Sequence, residues 1–286
     1  MDRASDRFAL ADGNFIPCLG FGTYLIDDPS VAYRSVADAL ELGYRHIDTA
    51  AIYRNEESVG KAVRDSGLAR GDIFVTSKVW ASEHGYDRAS RAIDASLKRL
   101  GLDYMDMCLI HWPANAKNYS DWQAVNADTW RALEQAKADG KVKAIGVSNF
   151  LVSHLVSLQD NCRIMPAVDQ IEYHPGLLQP ETVAFCKANN ILVEAWSPIG
   201  RARLLDDPTL NSIAHKHGKS VAQVCVKFAL SQGVLPLPKS THRARMAENA
   251  DIFDFELDWS DIGDIEGMEE GKRYGSHPDE QNFCAE

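Results

Sequence analysis

The stretch IFVTSKVWASEHGYDRASRAIDASLKRLGLDYMDMCLIH, residues 73–111, contains the repeating unit of the chain, with two predicted strands around one predicted helix. Ile73–Val79 and Met105–His111 are short and mostly apolar, and the uninterrupted MCLI suits a strand covered on both faces. Between them, apolar residues recur at three- and four-residue steps over 86–100, and Gly101 follows as a stop signal. This order predicts two parallel strands joined by a helical crossover.

The same alternation of strand and helix continues along the chain in both directions. The other strand candidates are Cys18–Leu25, Tyr44–Thr49, Lys143–Ser148, Ala167–Tyr173, Leu192–Trp196 and Leu235–Pro238. Eight strands in 286 residues match the usual size of a (β/α)8 TIM barrel, an α/β fold with parallel strands inside and helices outside. The rival fold, an open doubly wound sheet, requires G-x-G-x-x-G after its first strand, but Gly20 and Gly22 are followed by Leu25 where the third glycine belongs.

We predict a single barrel domain over residues 1–286, with a core at 8–270 and an irregular C-terminal tail at 271–286. Phe8–Leu10 and Phe15–Pro17, joined by a turn at Asp12-Gly13-Asn14, predict a β-hairpin that plugs the bottom of the barrel. Helices additional to the eight repeating units are also expected around the core.

Charge and cysteine usage limit the classes of function. The formal net charge is −11 and no run of five or more basic residues occurs, which argues against a general surface for nucleic acids or anionic membranes. The six cysteines form no C-x-x-C pair, so a reducing compartment fits better than a disulfide framework. The N-terminus lacks an apolar signal core, and no apolar stretch approaches the ~20 residues that span a bilayer. We therefore expect a cytoplasmic protein without a membrane or nucleic-acid partner.

Four polar side chains lie where consecutive strands are predicted to end. Asp48, Lys78 and His111 end the second, third and fourth strands, and Tyr53 lies five residues beyond Asp48. Alone, each has an ordinary structural interpretation: a helix cap or ion pair for the aspartate, a solvated charge for the lysine, a structural histidine with satisfied hydrogen bonds, and packing for the tyrosine. Because functional residues of such barrels gather at the carboxyl ends of strands, their joint position favours an active site.

The chain resembles the aldo-keto reductase superfamily across roughly residues 8–280. The segments that carry the resemblance are GYRHIDTAAIYRNEESVGKAV (43–63), LIHWP (109–113), GVSNF (146–150), EAWSP (194–198) and LPKSTHRARMAENADIFDF (237–255). The similarity is greatest to bacterial and protozoal members that include diketogluconate reductases and prostaglandin F synthases. It implies a catalytic tetrad of Asp48, Tyr53, Lys78 and His111 in an NADPH-dependent oxidoreductase of the EC 1.1.1 type that reduces aldehydes or ketones.

The chemistry of carbonyl reduction explains these four residue types. Hydride comes from the cofactor, and the carbonyl oxygen needs a proton as negative charge develops on it. We expect Tyr53 to act as the general acid, with the charge of Lys78 lowering its pKa from the ordinary value of ~10. Asp48 would hold Lys78, and His111 would orient the carbonyl of a small-molecule substrate.

The resemblance also implies a set of cofactor contacts. Ser148, Asn149 and Gln170 match the residues that bind the nicotinamide carboxamide, and Trp196 matches the aromatic ring that stacks on the nicotinamide. Contacts to the ribose and pyrophosphate are expected from Gly22, Thr23, Ser197 and Ile199. Contacts to the 2′-phosphate are expected from Lys239, Ser240 and Arg245, and contacts to adenine from Glu248 and Asn249. Arg243 fits a solvated helix start instead, and His242 departs from the usual threonine or asparagine.

By the same resemblance, Tyr24, Trp80 and Trp112 line a carbonyl pocket, and the protein is expected to be a monomer without a metal. Two other classes of function stay open. A metal-dependent hydrolase barrel could use His46, Asp48 and His174, although no H-x-H motif occurs and Lys78 would repel a cation. A binding protein on the same fold is the second, because fold alone does not establish catalysis.

Overall fold

An eight-stranded sheet forms the centre of the computed structural model, which describes residues 3, 5–268 and 271–282. The hairpin strands are β1 (Arg7–Ala9) and β2 (Phe15–Pro17), and the sheet strands are β3 (Phe21–Gly22), β4 (His46–Asp48), β5 (Phe74–Val79), β6 (Met105–Ile110), β7 (Val142–Ser148), β8 (Val168–Glu172), β9 (Leu192–Trp196) and β10 (Leu235–Leu237). Strands β3 to β10 pair in chain order, each parallel to the next. The N–H groups of Gly20 and Gly22 donate to Pro236 O and Pro238 O at 3.1 Å each, which joins the two edges into the predicted TIM barrel.

Helices surround the barrel and connect its strands. They are α1 (Pro29–Glu41), α2 (Glu56–Asp65), α3 (Tyr86–Leu100), α4 (Trp122–Ala138), α5 (Val152–Gln159), α6 (Pro180–Ala188), α7 (Pro208–His217), α8 (Val221–Ser231), α9 (Arg243–Ala250) and α10 (Trp259–Glu266). The Asp28 carboxylate caps α1 by accepting from Ser30 N and Val31 N, and Gly101 ends α3 in the left-handed conformation. In the described part of the chain, no helix has the length and apolar character needed to cross a membrane.

Side chains alternate between the barrel interior and the helix layer along each strand. On β5, Val75 and Val79 join the core between the sheet and the helices, whereas Phe74 joins a separate interior cluster. Lys78 shares the parity of Phe74 and therefore also faces the interior. The same parity brings further polar or aromatic side chains from neighbouring strands inside, namely Asp48, Ser148, Gln170, Glu194 and Trp196. The top of the barrel is consequently a polar layer.

The N-terminal hairpin fills the opposite end of the barrel, as predicted. Strands β1 and β2 pair antiparallel, with Phe8 opposite Ile16. Leu10 and Ile16 pack with Phe74 and Leu235, which begin β5 and β10. Because these apolar contacts fill the amino-terminal end of the strands, a ligand site is expected at the carboxyl end.

The first barrel strand is shorter than predicted. We expected Cys18–Leu25, but only Phe21–Gly22 forms a strand. Cys18 N donates to Asp6 O and so extends the hairpin, and Leu25 has a φ of 58° that no strand accommodates. Gly20 is required at the entry, because a Cβ there would lie 2.2 Å from Leu237 Cδ2 and 2.6 Å from His46 Nδ1.

Candidate active site

A buried ion pair links the ends of β4 and β5. Lys78 is 1% exposed, and its ammonium donates to Asp48 Oδ1 at 2.6 Å, to Asp48 Oδ2 at 2.7 Å and to Thr49 O at 2.9 Å. Each of its three hydrogens therefore has an acceptor, which offsets the cost of burying the charge. Both side chains face the barrel interior because their strand positions share the inward parity.

Tyr53 lies above this ion pair, on a 3₁₀ turn (Ala51–Tyr53) that follows β4. Lys78 Nζ is 5.2 Å from the centroid of its ring, and its Oη is 3.4 Å from Nε2 of His111, which follows β6. The structure thus brings all four predicted tetrad residues together at the carboxyl end of the barrel. The five residues from Asp48 to Tyr53 allow the chain to turn back, so that the Tyr53 ring lies over the strand ends.

The pKa of Tyr53 moves in the direction opposite to the one expected from sequence. Burial is the main cause of a pKa well above the ordinary value, the charge of Asp48 and the neighbouring Tyr24 add to it, and the Arg201 charge opposes it. The ammonium of Lys78, which we expected to lower this pKa, is paired with Asp48, and its effect does not overcome that of burial. Burial, and secondarily Lys78, holds the pKa of His111 well below its ordinary value. The phenol is therefore protonated and the imidazole neutral near pH 7.

The loop that carries Tyr53 is fastened by a buried amide. Asn55 Oδ1 accepts from Thr49 Oγ1 at 2.7 Å, and its Nδ2 donates to Thr23 O at 2.9 Å and to Ile26 O at 3.2 Å. Thr23 is fully buried and donates through Oγ1 to Asp48 O at 3.0 Å, so it lies behind the wall of the site and does not face it. These contacts join the loops after β3 and β4 and fix the position of the phenol.

Four predicted nicotinamide contacts form one connected group at the ends of β7, β8 and β9. Asn149 Nδ2 donates to His111 O at 2.9 Å, and its Oδ1 accepts from Trp196 Nε1 at 2.9 Å. Ser148 Oγ donates to Gln170 O at 2.7 Å, and Gln170 Nε2 donates to Asp48 Oδ2 at 2.8 Å. The group therefore connects the indole of Trp196 to both the histidine and the ion pair.

Glu194 belongs to this group but was missed by sequence reasoning. Its Oε2 accepts from Gln170 Nε2 at 2.8 Å, and its Oε1 is buried without a hydrogen-bond partner among the described residues. Burial, with a smaller effect of Asp48, raises its pKa to about 8. The signal was present in the sequence, because Glu194 shares the inward parity of Trp196 along β9.

A cavity of about 1090 Å³ opens above these residues and holds most of the predicted contacts. Its lining includes Gly22, Tyr24, Asp48, Tyr53, Trp80, His111, Trp112, Ser148, Asn149, Gln170, Trp196, Ser197, Ile199, Lys239, Ser240, Arg245, Glu248 and Asn249. Lys78 is buried beneath the floor, as is Thr23. The cavity is large enough for a dinucleotide and a small substrate together.

The two ends of the cavity differ in chemistry. At the tetrad end the walls are aromatic: the ring centroids of Tyr24 and Tyr53 are 5.1 Å apart, and those of Trp80 and His111 are also 5.1 Å apart. At the other end, Lys239 and Arg245 follow β10 and provide positive charge, and burial lowers the pKa of Lys239. Arg243, which we assigned to the helix start, pairs with Asp38 and Glu41 on the exposed surface.

The C-terminal tail forms part of the cavity wall, through Tyr274, Gly275, Ser276 and Gln281. Glu172 at the end of β8 accepts from Tyr274 N at 2.8 Å and from Gly275 N at 3.1 Å. Residues 271–282 form no helix or strand, yet their backbone is held against the barrel, and the rest of the predicted tail, 283–286, lies outside the described residues.

The histidines considered for a hydrolase are in other contacts. His46 Nε2 is 3.0 Å from Thr76 Oγ1 inside the barrel, and His174 contacts Pro175 O and Glu172 Oε1. Across residues 3, 5–268 and 271–282, no group of three or more His, Cys, Asp or Glu side chains is placed to hold a metal ion. The geometry therefore gives no support to the hydrolase alternative.

Comparison with known proteins agrees with this arrangement. The family model described as the aldo/keto reductase family matches residues 18–270. The chain belongs to this family. The glyoxal reductase of Bacillus subtilis is 47% identical over 97% of this chain and 98% of its own length. Among solved structures, an aldo-keto reductase from a Medee basin deep-sea metagenome library has a TM-score of 0.92, with 40% identity over 97% of this chain and 100% of its own.

A second solved structure carries a bound cofactor. It is a Bombyx mori aldo-keto reductase in complex with NADP, with a TM-score of 0.84 and 37% identity over 91% of this chain and 92% of its own. The superfamily and the barrel predicted from the sequence are therefore confirmed, and the chain is an oxidoreductase of the family that acts on carbonyl compounds.

Proposed function

We propose that this aldo/keto reductase family member uses NADPH to reduce small aldehydes and ketones to alcohols, with Tyr53 as the proton donor. One observation carries the proposal: the Tyr53 hydroxyl is 3.4 Å from His111 Nε2 in the floor of an aromatic cavity, directly above the buried Lys78–Asp48 pair. The similarity to a glyoxal reductase and to an NADP complex supports both the substrate class and the cofactor.

The residues of the cavity fit a nicotinamide dinucleotide phosphate. Gln170 lines the cavity and both donor contacts of its Nε2 are to protein carboxyl groups, so its Oε1 is the atom available to accept from a carboxamide. Trp196 offers a flat indole for a planar ring, and Lys239 with Arg245 offers cations for a phosphate. When bound, the reduced nicotinamide supplies the hydride that no side chain can supply.

The protein's own residues manage the proton. A carbonyl oxygen placed beside Tyr53 Oη and His111 Nε2 can accept from the protonated phenol, and also from the neutral imidazole in the tautomer that carries its hydrogen on Nε2. As negative charge develops on that oxygen, the phenol proton moves to it and leaves a phenolate. The ammonium of Lys78, 5.2 Å from the ring centroid, then stabilises the phenolate more than it stabilises the neutral phenol.

Replacing the phenol tests the proposal. Tyr53→Phe keeps the ring but removes the proton, so kcat for glyoxal, followed by loss of NADPH absorbance, should fall about 100- to 10,000-fold. NADPH affinity, measured by quenching of protein fluorescence, should change little. Tyr86→Phe, on the exposed start of α3, is the matched control and should keep full activity. Substantial turnover by Tyr53→Phe would defeat the assignment.

A further inference from the structure

The loop after β9 holds Arg201 in an uncommon backbone conformation. Gly200, Arg201 and Ala202 have φ values of 55°, 54° and 65°, and two of them are not glycine. Short backbone bonds keep the loop in this shape, from Gly200 N to Ser197 O at 2.8 Å and from Ala202 N to Ile199 O at 3.0 Å. Left-handed conformations of non-glycine residues are unfavourable and concentrate at functional sites, where the rest of the structure enforces them.

The guanidinium of Arg201 lies at the aromatic end of the cavity. Its central carbon is 5.8 Å from the ring of Tyr24 and 5.6 Å from the ring of Trp196, and the residue lines the same cavity as Tyr53. Cation–π contacts with the two rings hold the guanidinium while its N–H groups stay available to an anion. Its positive charge also acts on the Tyr53 phenol, whose pKa it lowers against the stronger effect of burial.

Arg201 has no carboxylate partner within the described part of the chain. Other charged residues also line the cavity: Asp48 is paired with Lys78, Asp27 acts on the charge of Lys239, and Arg245 and Glu248 lie on the helix after β10. A cation that lines the same cavity as the reacting hydroxyl and has no carboxylate partner among the described residues is suited to recognise a negative group on the substrate.

We propose that Arg201 makes this site selective for carbonyl substrates that carry a carboxylate, such as oxo acids and semialdehyde acids. The carbonyl would lie at Tyr53 and His111, and the carboxylate would pair with the guanidinium. This inference rests on the proposed reductase function and adds a substrate class to it.

The test compares each acid with its neutral methyl ester. The pairs are 4-carboxybenzaldehyde with methyl 4-formylbenzoate, and succinic semialdehyde with methyl 4-oxobutanoate. For each pair, the acid-to-ester ratio of kcat/KM is measured in the wild-type protein, Arg201→Met, Arg201→Lys and Arg203→Met. Arg203 lies 5.0 Å from the ring of Tyr274 and does not line the cavity, so it serves as the matched control.

We expect Arg201→Met to lower the ratio about tenfold or more in at least one pair, as for loss of a charge-assisted contact. Arg201→Lys should keep part of the preference because it keeps the charge, and Arg203→Met should leave the ratio unchanged. Raising the ionic strength should lower the wild-type ratio, because salt screens the attraction.

Two results would overturn the proposal. In the first, the ratio is the same in the wild-type protein and Arg201→Met for both pairs. In the second, Arg201→Met weakens NADPH binding and reduces acid and ester turnover equally, which would assign the guanidinium to the cofactor pyrophosphate. Failure of the wild-type protein to reduce any of the four compounds, acid or ester, would instead defeat the reductase assignment, and this inference with it.

Discussion

The amide of Gln170 lies between two carboxyl groups that cannot both be charged at low cost. Its Nε2 donates to Asp48 Oδ2 and to Glu194 Oε2, each at 2.8 Å. Asp48 is balanced by the ammonium of Lys78, whereas Glu194 is fully buried. Burial, together with the charge of Asp48, raises the pKa of Glu194 to about 8, so this carboxyl group keeps its proton at neutral pH.

The stability of Glu194→Gln, compared with that of the wild-type protein at the same pH, should therefore increase as the pH rises. Between the unfolded pKa of ~4.3 and the folded pKa of about 8, the native state binds a proton that the unfolded state lacks, so wild-type stability falls with rising pH. Glutamine mimics the protonated carboxyl group and removes this dependence. Urea unfolding at pH 5 and pH 8 should show the variant gaining on the order of 3 kcal/mol over the wild-type protein.

The comparison with the wild-type protein cancels the contribution of Asp169, a second buried carboxyl group whose pKa burial also raises. If the difference between the wild-type protein and Glu194→Gln were the same at both pH values, Glu194 would be ionised like an ordinary glutamate, and the prediction would be wrong.

Polar residues at the ends of predicted strands could be recognised from the sequence as candidate site residues. Residues whose role depends on contacts with distant segments could not. Asp48, Lys78 and His111 are polar groups at the ends of apolar runs, and the structure brings them together with Tyr53. Arg201 lies in an exposed loop, where an arginine is common. The position of its guanidinium depends on contacts with the rings of Tyr24 and Trp196, which the sequence does not show. The pKa of Tyr53 was mispredicted because charge neutralisation by Asp48 and burial are properties of the assembled site.

Among the elements, the C-terminal tail has the most direct effect on the site. Glu172 accepts from Gly275 N through both carboxylate oxygens at 3.1 Å, and these bonds hold the glycine next to Trp196. A Cβ at Gly275 would lie 2.4 Å from Trp196 Cη2 and 3.2 Å from Glu172 Oε2. The tail thus sets the position of the indole, whose Nε1 is bonded to Asn149.

Gly275→Ala should weaken NADPH binding by about tenfold, because the new methyl group must displace the indole that is expected to stack on the nicotinamide. The measurement is a fluorescence titration with NADPH, with thermal unfolding as a check of folding. Gly263→Ala, where a Cβ on α10 meets nothing within 4 Å, is the control. An unchanged Kd for Gly275→Ala would show that the tail does not position the indole.

The strands and helices were more predictable than the contacts between them. Short apolar runs alternating with segments of three- to four-residue periodicity identified the barrel, but the first strand was overestimated because Cys18 pairs with the hairpin. The packing of the tail against the barrel could not be predicted from the sequence, because the tail is polar and contains Gly275 and Pro278, as an unpacked terminus would. Its partners are far away in the chain: Asn115 Nδ2 donates to Pro278 O at 2.8 Å and to Gln281 O at 3.0 Å.

At the scale of the whole molecule, the distribution of charge favours one anionic ligand and no general anionic partner. The formal net charge is −11, yet Lys239 and Arg245 line one end of the cavity. Other basic residues, such as Arg243 and Lys216, form ion pairs with surface carboxylates. An anion is therefore attracted to the cavity by local charge rather than by the field of the protein as a whole.

A ligand that fills this cavity touches loops after most of the strands and should stabilise the whole barrel. At a concentration of 100 times its Kd, NADPH should add ~2.7 kcal/mol to the free energy of unfolding, which corresponds to a rise in Tm of about 5 °C or more. NADH at the same concentration should give a smaller rise, because it has no 2′-phosphate to pair with Lys239 and Arg245. The double variant Lys239→Ala/Arg245→Ala should lose the difference between the two cofactors, and Arg243→Ala should retain it because its partners are Asp38 and Glu41. Equal stabilisation of the wild-type protein by NADH and NADPH would show that the cationic end of the cavity does not read the 2′-phosphate.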